Sequence, residues 1–391
     1  MPTRKTQEDN SASLAELQSQ PCIDILLPSK ERFGPANAGA VSTVVHELIT
    51  ASDTPACFHV FGTPVTTPFA DVDFTALLPR QRWLNGNNIG FAKAYLHHLR
   101  DRPKPDLVEV HGRCHVAALI KQKRPDLKVA LYLHNDPRDM KASRTAAERT
   151  ALLRQMAAVI CVSDYIGECF LDDLGVSDDM AAKVRTARNG VARRLTAPST
   201  KSPMVLLVGR MVPEKGILEC AEAVARALAG HPEWEVVIVG ATHFQTAPPG
   251  SYEEKVKAAL APLGNRARMT GFLPVDEVRS LQERAAIIAC PSLWQEPMGK
   301  TAIEALAAGS ALLTTRRGGI PEAAEGRAHI VDDPSVDSFA DAIGRMVSDD
   351  HYRKSLQEAA WQDFPFTDIA MARDADRIRA HAISAALAPD K

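Results

Sequence analysis

The sequence is short of the features that usually settle a function quickly. Aromatic residues make up only 5% of its 391 positions. No apolar run approaches the roughly 18 residues that would mark a bilayer-crossing helix. The formal net charge is -2, which excludes bulk attraction to nucleic acid, and no nucleic-acid partner is expected. Seven cysteines, at 22, 57, 114, 161, 169, 220 and 290, form no C-x-x-C pair; reduced thiols in a cytoplasmic protein are the simple reading. The absence of G-x-G-x-x-G removes the main support for a nicotinamide dehydrogenase, and the absence of G-x-x-x-x-G-K-[ST] that for a P-loop kinase. No Cys or His set has metal-ligand spacing and no acidic D-x-D pair stands at a strand end, so no metal is expected. Residues 1–20 are polar and lack an apolar stretch; they read as a loose tail rather than a signal peptide.

What is there is alternation. Apolar residues make up 45% of the chain, and its length is comfortable for two domains. The runs CIDILLP (22–28), ACFHVFG (56–62), DLVEVHG (106–112), KVALYLH (128–134) and AAVICVS (157–163) read as buried strands with helical patterns between most of them. The stretch 191–204, VARRLTAPSTKSPM, has linker composition. A second series follows: MVLLVGR (204–210), WEVVIVGA (234–241), ARMTGFL (267–273), AAIIACPS (285–292) and SALLTTRRGG (310–319). The fold class predicted is α/β, two Rossmann-like doubly wound domains facing a central cleft. Residues 21–196 would form the first domain, 197–365 the second, and 366–391 a helix packing back on the first.

Ligands of such sheets bind beyond the carboxyl ends of the strands. In GRMVPEKG (209–216), Arg210 and Lys215 flank a turn that leads into a helix. Two cations beside unpaired amides and a helix dipole suit a dianion; a solvated turn with surface ion pairs is the other reading. In SLWQEPMGKT (292–301), Pro297 suits a first helical turn. The backbone at Met298, Gly299, Lys300 and Thr301 would then offer amides to a pyrophosphate. Glu304 lies ~7 Å further along a helix rising ~1.5 Å per residue, about the offset from a pyrophosphate to a ribose. Glu296 precedes the helix, where a donor sugar would sit. Two helix-associated acids without a ligand are the alternative.

The segments EPMGKTAIE, GRMVPEKG and GGIPE, together with AVICVSDYI (158–166), RNGV (188–191), MTGFLP (269–274) and IIACPSLWQEP (287–297), occur in one order along nearly the whole chain. Together they resemble the retaining GT-B glycosyltransferases of family 4. The resemblance implies a hexosyltransferase that takes a nucleotide-sugar donor, UDP-sugar favoured and GDP-mannose second. The acceptor would be a saccharide or glycolipid, lipid-linked or of lipopolysaccharide or exopolysaccharide type. It implies that Glu296 contacts the donor sugar and Glu304 the ribose, and that Arg210 and Lys215 bind phosphate. Gly39 would stand in the amino-terminal glycine loop, where Ala38 replaces the first of two glycines usual in the family. Lys300 stands where the family often has an apolar residue. His111, ending DLVEVHG, resembles the family's histidine at the donor sugar; a satisfied histidine at the cleft edge is the competing reading, and His134 is a second candidate. Such enzymes need no metal or other cofactor, because cations and helix dipoles neutralise the diphosphate. Front-face attack and double displacement through Glu296 both remain open. A nucleotide-sugar epimerase and a non-catalytic sugar-nucleotide-binding protein are the alternative functions.

Segment 80–104 mixes Arg80, Arg82, Lys93, Arg100, Arg102 and Lys104 with Trp83, Phe91 and Tyr95, and Arg138, Lys141, Arg144, Arg149 and Arg154 follow. A basic, aromatic face of this kind suits an anionic membrane surface, which would place the enzyme peripherally on the cytoplasmic side. Solvated helix faces are the plainer account.

Overall fold

Two parallel sheets organise the chain. The computed structural model describes residues 20–36, 38–80, 82–242, 250–362 and 364–385. Residues 1–19, most of the expected tail, and the side chains of Arg82 and Trp83 lie outside the described residues.

The first sheet contains β1 (Ile23–Leu26), β2 (Phe58–Gly62), β3 (Phe74–Ala76), β4 (Leu107–His111), β5 (Val129–Leu133), β6 (Ala158–Cys161) and β7 (Val184–Thr186), in the spatial order β3-β2-β1-β4-β5-β6-β7. Every residue of β1, β4, β5 and β6 is buried. Parallel connections lay helices over both faces, so these strands need continuous apolar runs rather than alternation. Three polar residues interrupt the runs: Asp24, Glu109 and His111 are all fully buried. The register pairs Ile25 with both Val60 and Glu109, so β1 lies between β2 and β4, where the strand order reverses.

The second sheet contains β8 (Ser202–Val208), β9 (Glu235–Val239), β10 (Ala267–Gly271), β11 (Ala285–Cys290), β12 (Ala311–Thr315) and β13 (Ala328–Val331), in the order β10-β9-β8-β11-β12-β13. One face packs against the helices Ile217–Ala227 and Val336–Ser348, burying Val205, Leu207, Val224, Phe339, Ile343 and Met346 together. The reversal falls between β8 and β11, whose following loops are GRMVPEKG and PSLWQEPMGK. A doubly wound sheet opens its ligand crevice at such a point.

One compact unit gathers Met1–Val162, Ile166–Ala187 and Ala372–Lys391; the other gathers Ser163–Tyr165 and Arg188–Met371. The division after Ala187 precedes the expected break at 196/197, and residues 366–371 join the second unit rather than the first. The physical reason is anchoring. Arg193 donates to Ala307 O and Trp361 O and stacks on the Trp361 ring. Lys201 Nζ donates to Glu283 O, Ala308 O and Ser310 Oγ, and β8 already begins at Ser202. The expected linker is therefore part of the second unit.

The basic, aromatic face also needs correction. Phe91 and Tyr95 are core residues, and the Tyr95 hydroxyl donates to buried Asp24 at 2.6 Å. Arg102 pairs with Asp24, Arg138 with Asp136 and Asp172, and Arg149 is buried against backbone carbonyls. Arg80, Arg100, Lys141, Arg144 and Arg154 stay exposed. Among the described residues no helix is long and apolar enough to cross a membrane.

Candidate active site

The site is built at the carboxyl edge of the second sheet. After β8, a short turn over Pro213–Lys215 delivers Lys215, and Gly216 caps the helix Ile217–Ala227. After β11, residues 291–299 lead to the helix Lys300–Ala307. The two loops are joined: Leu293 N and Trp294 N both donate to Glu214 O, at 2.9 and 3.1 Å. That join brings Lys215 Nζ to 2.5 Å from Glu296 Oε1, which also accepts from Ser292 Oγ at 2.7 Å. The pair is partly wet, with the lysine side chain 30% and the glutamate 14% exposed. A ligand anion can therefore reach the ammonium without either group first being dug out of a core.

The backbone of Glu296 is pinned from below. Gly319 N donates to Glu296 O at 2.8 Å, and a Cβ on Gly318 would stand 2.1 Å from that same oxygen. Any side chain at 318 would push the carboxylate's own backbone away, which explains the GG of GGIPE. The glutamate of that motif works differently. Glu322 accepts from Asp164 N at 3.0 Å, Tyr165 N at 2.8 Å and Arg188 Nε at 3.0 Å. Ser163 Oγ donates to Pro297 O at 2.5 Å. These bonds tie the SDY and RNG motifs into the second unit and hold the loop that carries Glu296.

Gly299 caps its helix with φ +74°, and a Cβ there would meet Ile320 at 2.9 Å. Met298 is buried, while Lys300 and Thr301 are half-buried. Further along, half-buried Glu304 accepts from the side chain of Gln282, itself buried, at 3.0 Å. Arg210 is exposed at the end of β8. It lines a cavity of about 190 Å3 with Gly209, Gly240, Thr242, Phe272 and Leu273. The walls are mostly apolar or main-chain, the surroundings a planar ring accepts. The structure thus joins Lys215 to Glu296, sets the helix start Lys300–Ala307 directly after them, and places Arg210 on the cavity beside Phe272. Sequence reading missed Ser292 and Gln282; serine and glutamine at these spacings carry no signal.

Two candidates of the first unit already have partners within it. Gly39 caps the helix Ala40–Thr50, but Ser42 N there donates to Glu31 Oε2 at 3.2 Å, and a Cβ on Gly39 would lie 2.2 Å from that oxygen. The start of that helix is thus met by a carboxylate of the same unit. His111 is fully buried with both ring nitrogens engaged. Its Nε2 lies 2.8 Å from Glu109 Oε1 and its Nδ1 2.8 Å from His134 Nε2. It has no nitrogen to offer a sugar without breaking one of these bonds. His134 is buried as well, at 8% exposure. Arg379, in the helix Asp368–Ser384, grips Glu109 with Nε and Nη2 at 2.8 Å each. Burial alone would raise the Glu109 pKa; the Arg379 charge, its two hydrogen bonds and His111 overcome this and hold the carboxyl well below its usual range. Sequence reading missed both Glu109 and Arg379; an acid two positions before a histidine on one strand face was the signal for the first, and the second left none.

Among the described residues, no group of three or more His, Cys, Asp and Glu could hold a metal ion.

Two doubly wound parallel domains with these loops are the GT-B architecture of glycosyltransferases, and known structures agree. Sucrose-phosphate synthase from Thermosynechococcus elongatus superposes with TM-score 0.72 at 18% identity, over 93% of this chain and all of the other. Anabaena HepE, solved in complex with UDP-glucose, gives 0.68 at 16% identity, over 92% of this chain and all of the other. Among sequences, the lipopolysaccharide 1,2-N-acetylglucosaminetransferase of Salmonella typhimurium is 22% identical over 351 residues, 83% of this chain and 89% of the relative. The family profile "Glycosyltransferase Family 4" matches residues 41–194 and "Glycosyl transferases group 1" matches 192–363. The chain is a glycosyltransferase of group 1, family 4.

Proposed function

We propose that the protein is a retaining glycosyltransferase that moves a hexose from a UDP-sugar to a saccharide acceptor of lipopolysaccharide or related glycolipid type. The observation that carries this is the Lys215–Glu296–Ser292 cluster lying directly before the amino end of the helix Lys300–Ala307. Breaking the anomeric C–O bond leaves negative charge on the diphosphate and positive charge on the sugar. Lys215, Arg210 and the amides at 299–301 meet the first, and fixed donors of this kind are typically worth ~3–4 kcal/mol each. Glu296 meets the second. Glu304 takes the ribose hydroxyls, and the cavity beside Phe272 takes the base. No metal is needed, because the lysine, the arginine and the helix dipole carry the compensating charge. Support for the UDP-sugar comes from the likeness to HepE, and for the acceptor from the Salmonella relative. The exposed Arg80, Lys141 and Arg144 suit an anionic glycolipid surface and a peripheral, cytoplasmic setting.

The test is calorimetric titration with UDP, GDP and ADP, followed by 1H NMR of donor turnover. UDP binding without added metal, and an α-configured sugar appearing first from UDP-α-glucose, are expected. Preference for GDP or ADP, a strict need for magnesium or manganese, or a β-configured first product would overturn the corresponding part.

A further inference from the structure

The helix Val275–Arg284 links two parts of the second unit's site. Val278 lines the cavity beside Phe272, and Gln282 stands one turn later on the same helix face. The step is ~6 Å at ~1.5 Å per residue, comparable to that from a pyrimidine ring to the hydroxyls of its ribose. Gln282 is 3% exposed, and its Nε2 donates to Glu304 Oε2 at 3.0 Å. Against a carboxylate only the amide NH2 can bond, so the contact also fixes which way the amide faces. Gln282 is itself held. Fully buried Ser310 Oγ lies 3.0 Å from Gln282 O and 2.8 Å from Ala285 O. Lys201 Nζ has three donors, matched by Ser310 Oγ, Glu283 O and Ala308 O at 3.2, 2.8 and 2.7 Å. Glu283 and Ala308 stand at the carboxyl ends of the helices that carry Gln282 and Glu304. One ammonium thus ties both helix ends together, where the dipoles favour a cation. A glutamate's last torsion is broad, so helix packing alone does not set the plane of its carboxylate. The Gln282 bond does. A carboxylate offers about four acceptor sites, which lets it hold Gln282 and a ribose diol at once.

We propose that Gln282 is a positioning residue for Glu304. It sets the plane of that carboxylate before the nucleotide arrives, and thereby the preference for a nucleotide with both ribose hydroxyls over one without them. The inference rests on the reading that Glu304 takes the ribose hydroxyls, and it uses residues of the second unit alone. Two neighbouring hydroxyls meet both carboxylate oxygens only over a narrow range of plane angles. Ordering the plane in advance removes a cost that binding would otherwise carry.

The test is calorimetric titration of the full chain with UDP and with 2′,3′-dideoxy-UDP, which lacks both ribose hydroxyls. Wild type should bind UDP about 10-fold or more tightly than the dideoxy nucleotide. Gln282→Met nearly keeps the side-chain volume and removes the donor. It should weaken UDP by about 5- to 10-fold and leave dideoxy-UDP within about twofold, so that most of the preference disappears. Equal weakening of both nucleotides would make the glutamine merely structural and overturn the proposal. Glu304→Gln separates the two levels. If it loses the preference while Gln282→Met keeps it, the positioning role falls and the ribose contact stands. If Glu304→Gln keeps the preference, or wild type has none, the ribose contact itself is wrong and the proposal falls with it. A measurement that needs no Gln282 variant is side-chain amide 1H–15N NMR of the unliganded chain. The Gln282 amide proton should lie downfield in wild type and move upfield in Glu304→Ala; an unmoved resonance would overturn the proposal even if Gln282→Met failed to fold.

Discussion

The two units place carboxylates at the carboxyl ends of sheets of the same winding, yet they treat them in opposite ways. In the first, Glu109 is sealed, doubly bonded to an arginine that is itself sealed. In the second, Glu296 shares one oxygen between a lysine and a serine and stays partly wet. A dry ion pair is rigid and costly to break, because loss of one partner strands a charge in low dielectric. A wet pair is weak and exchangeable, because water and an incoming phosphate compete for the lysine. The contrast assigns the first to holding geometry and the second to meeting a ligand.

Five measurements break or sharpen this contrast. Arg379→Leu should destabilise the first unit by ~3–5 kcal/mol, with Glu109→Leu/Arg379→Leu recovering much of it; hydrogen exchange of β4 and β5 reads the loss locally. The same pair sets an acid limb. A depressed folded pKa gives stability that is complete above the ordinary value of 4.5 and is lost as pH falls through the lower folded value. Glu109→Gln should therefore flatten the fall in stability below about pH 4.5, and an unchanged acid limb would refute the pairing.

Lys215→Ala should do the reverse: kcat/KM down by ~100-fold, about 2.7 kcal/mol, with the melting temperature almost unmoved. A large stability loss would show the pair to be structural. Next come the two glutamates. Glu304→Gln should weaken UDP binding about tenfold or more, the worth of a truncated charge-assisted bond. Glu296→Gln should leave UDP affinity intact or raise it, since it releases Lys215, while slowing turnover. Equal losses in calorimetry would remove the division of labour. The smallest effect belongs to Tyr132, whose buried hydroxyl has no hydrogen-bond partner among the described residues. Tyr132→Phe should keep the ring stack and raise stability by ~1 kcal/mol; a drop in thermal denaturation would mean the hydroxyl has a role.

The interior strands were legible because burial on both faces demands apolar runs such as VALYL and AVIC. The strands that escaped, β3, β7 and β13, are short edges with half-exposed residues, and their sequences FTA, VRT and AHIV carry no such run. The site divided in the same way. Lys215, Glu296 and Glu304 could be read because loop and helix start are contiguous in sequence. The partners of Glu304 and Glu109 could not, since Gln282 and Arg379 arrive from other helices and look like any surface residue in their own segments. His111 was read at the donor sugar because it ends a strand where the family has a histidine; that both its nitrogens are engaged within the first unit is a three-dimensional fact no sequence pattern carries.

The first unit is assembled from segments on either side of the second, with the chain crossing over within the helix Asp368–Ser384. During synthesis, β4 leaves the ribosome long before Arg379 exists. Until then Glu109 lacks its arginine, so the buried ion pair that fixes β4 in the finished unit cannot form. The amino-terminal half is therefore made first and finished last, and its final closure is gated by translation of everything between.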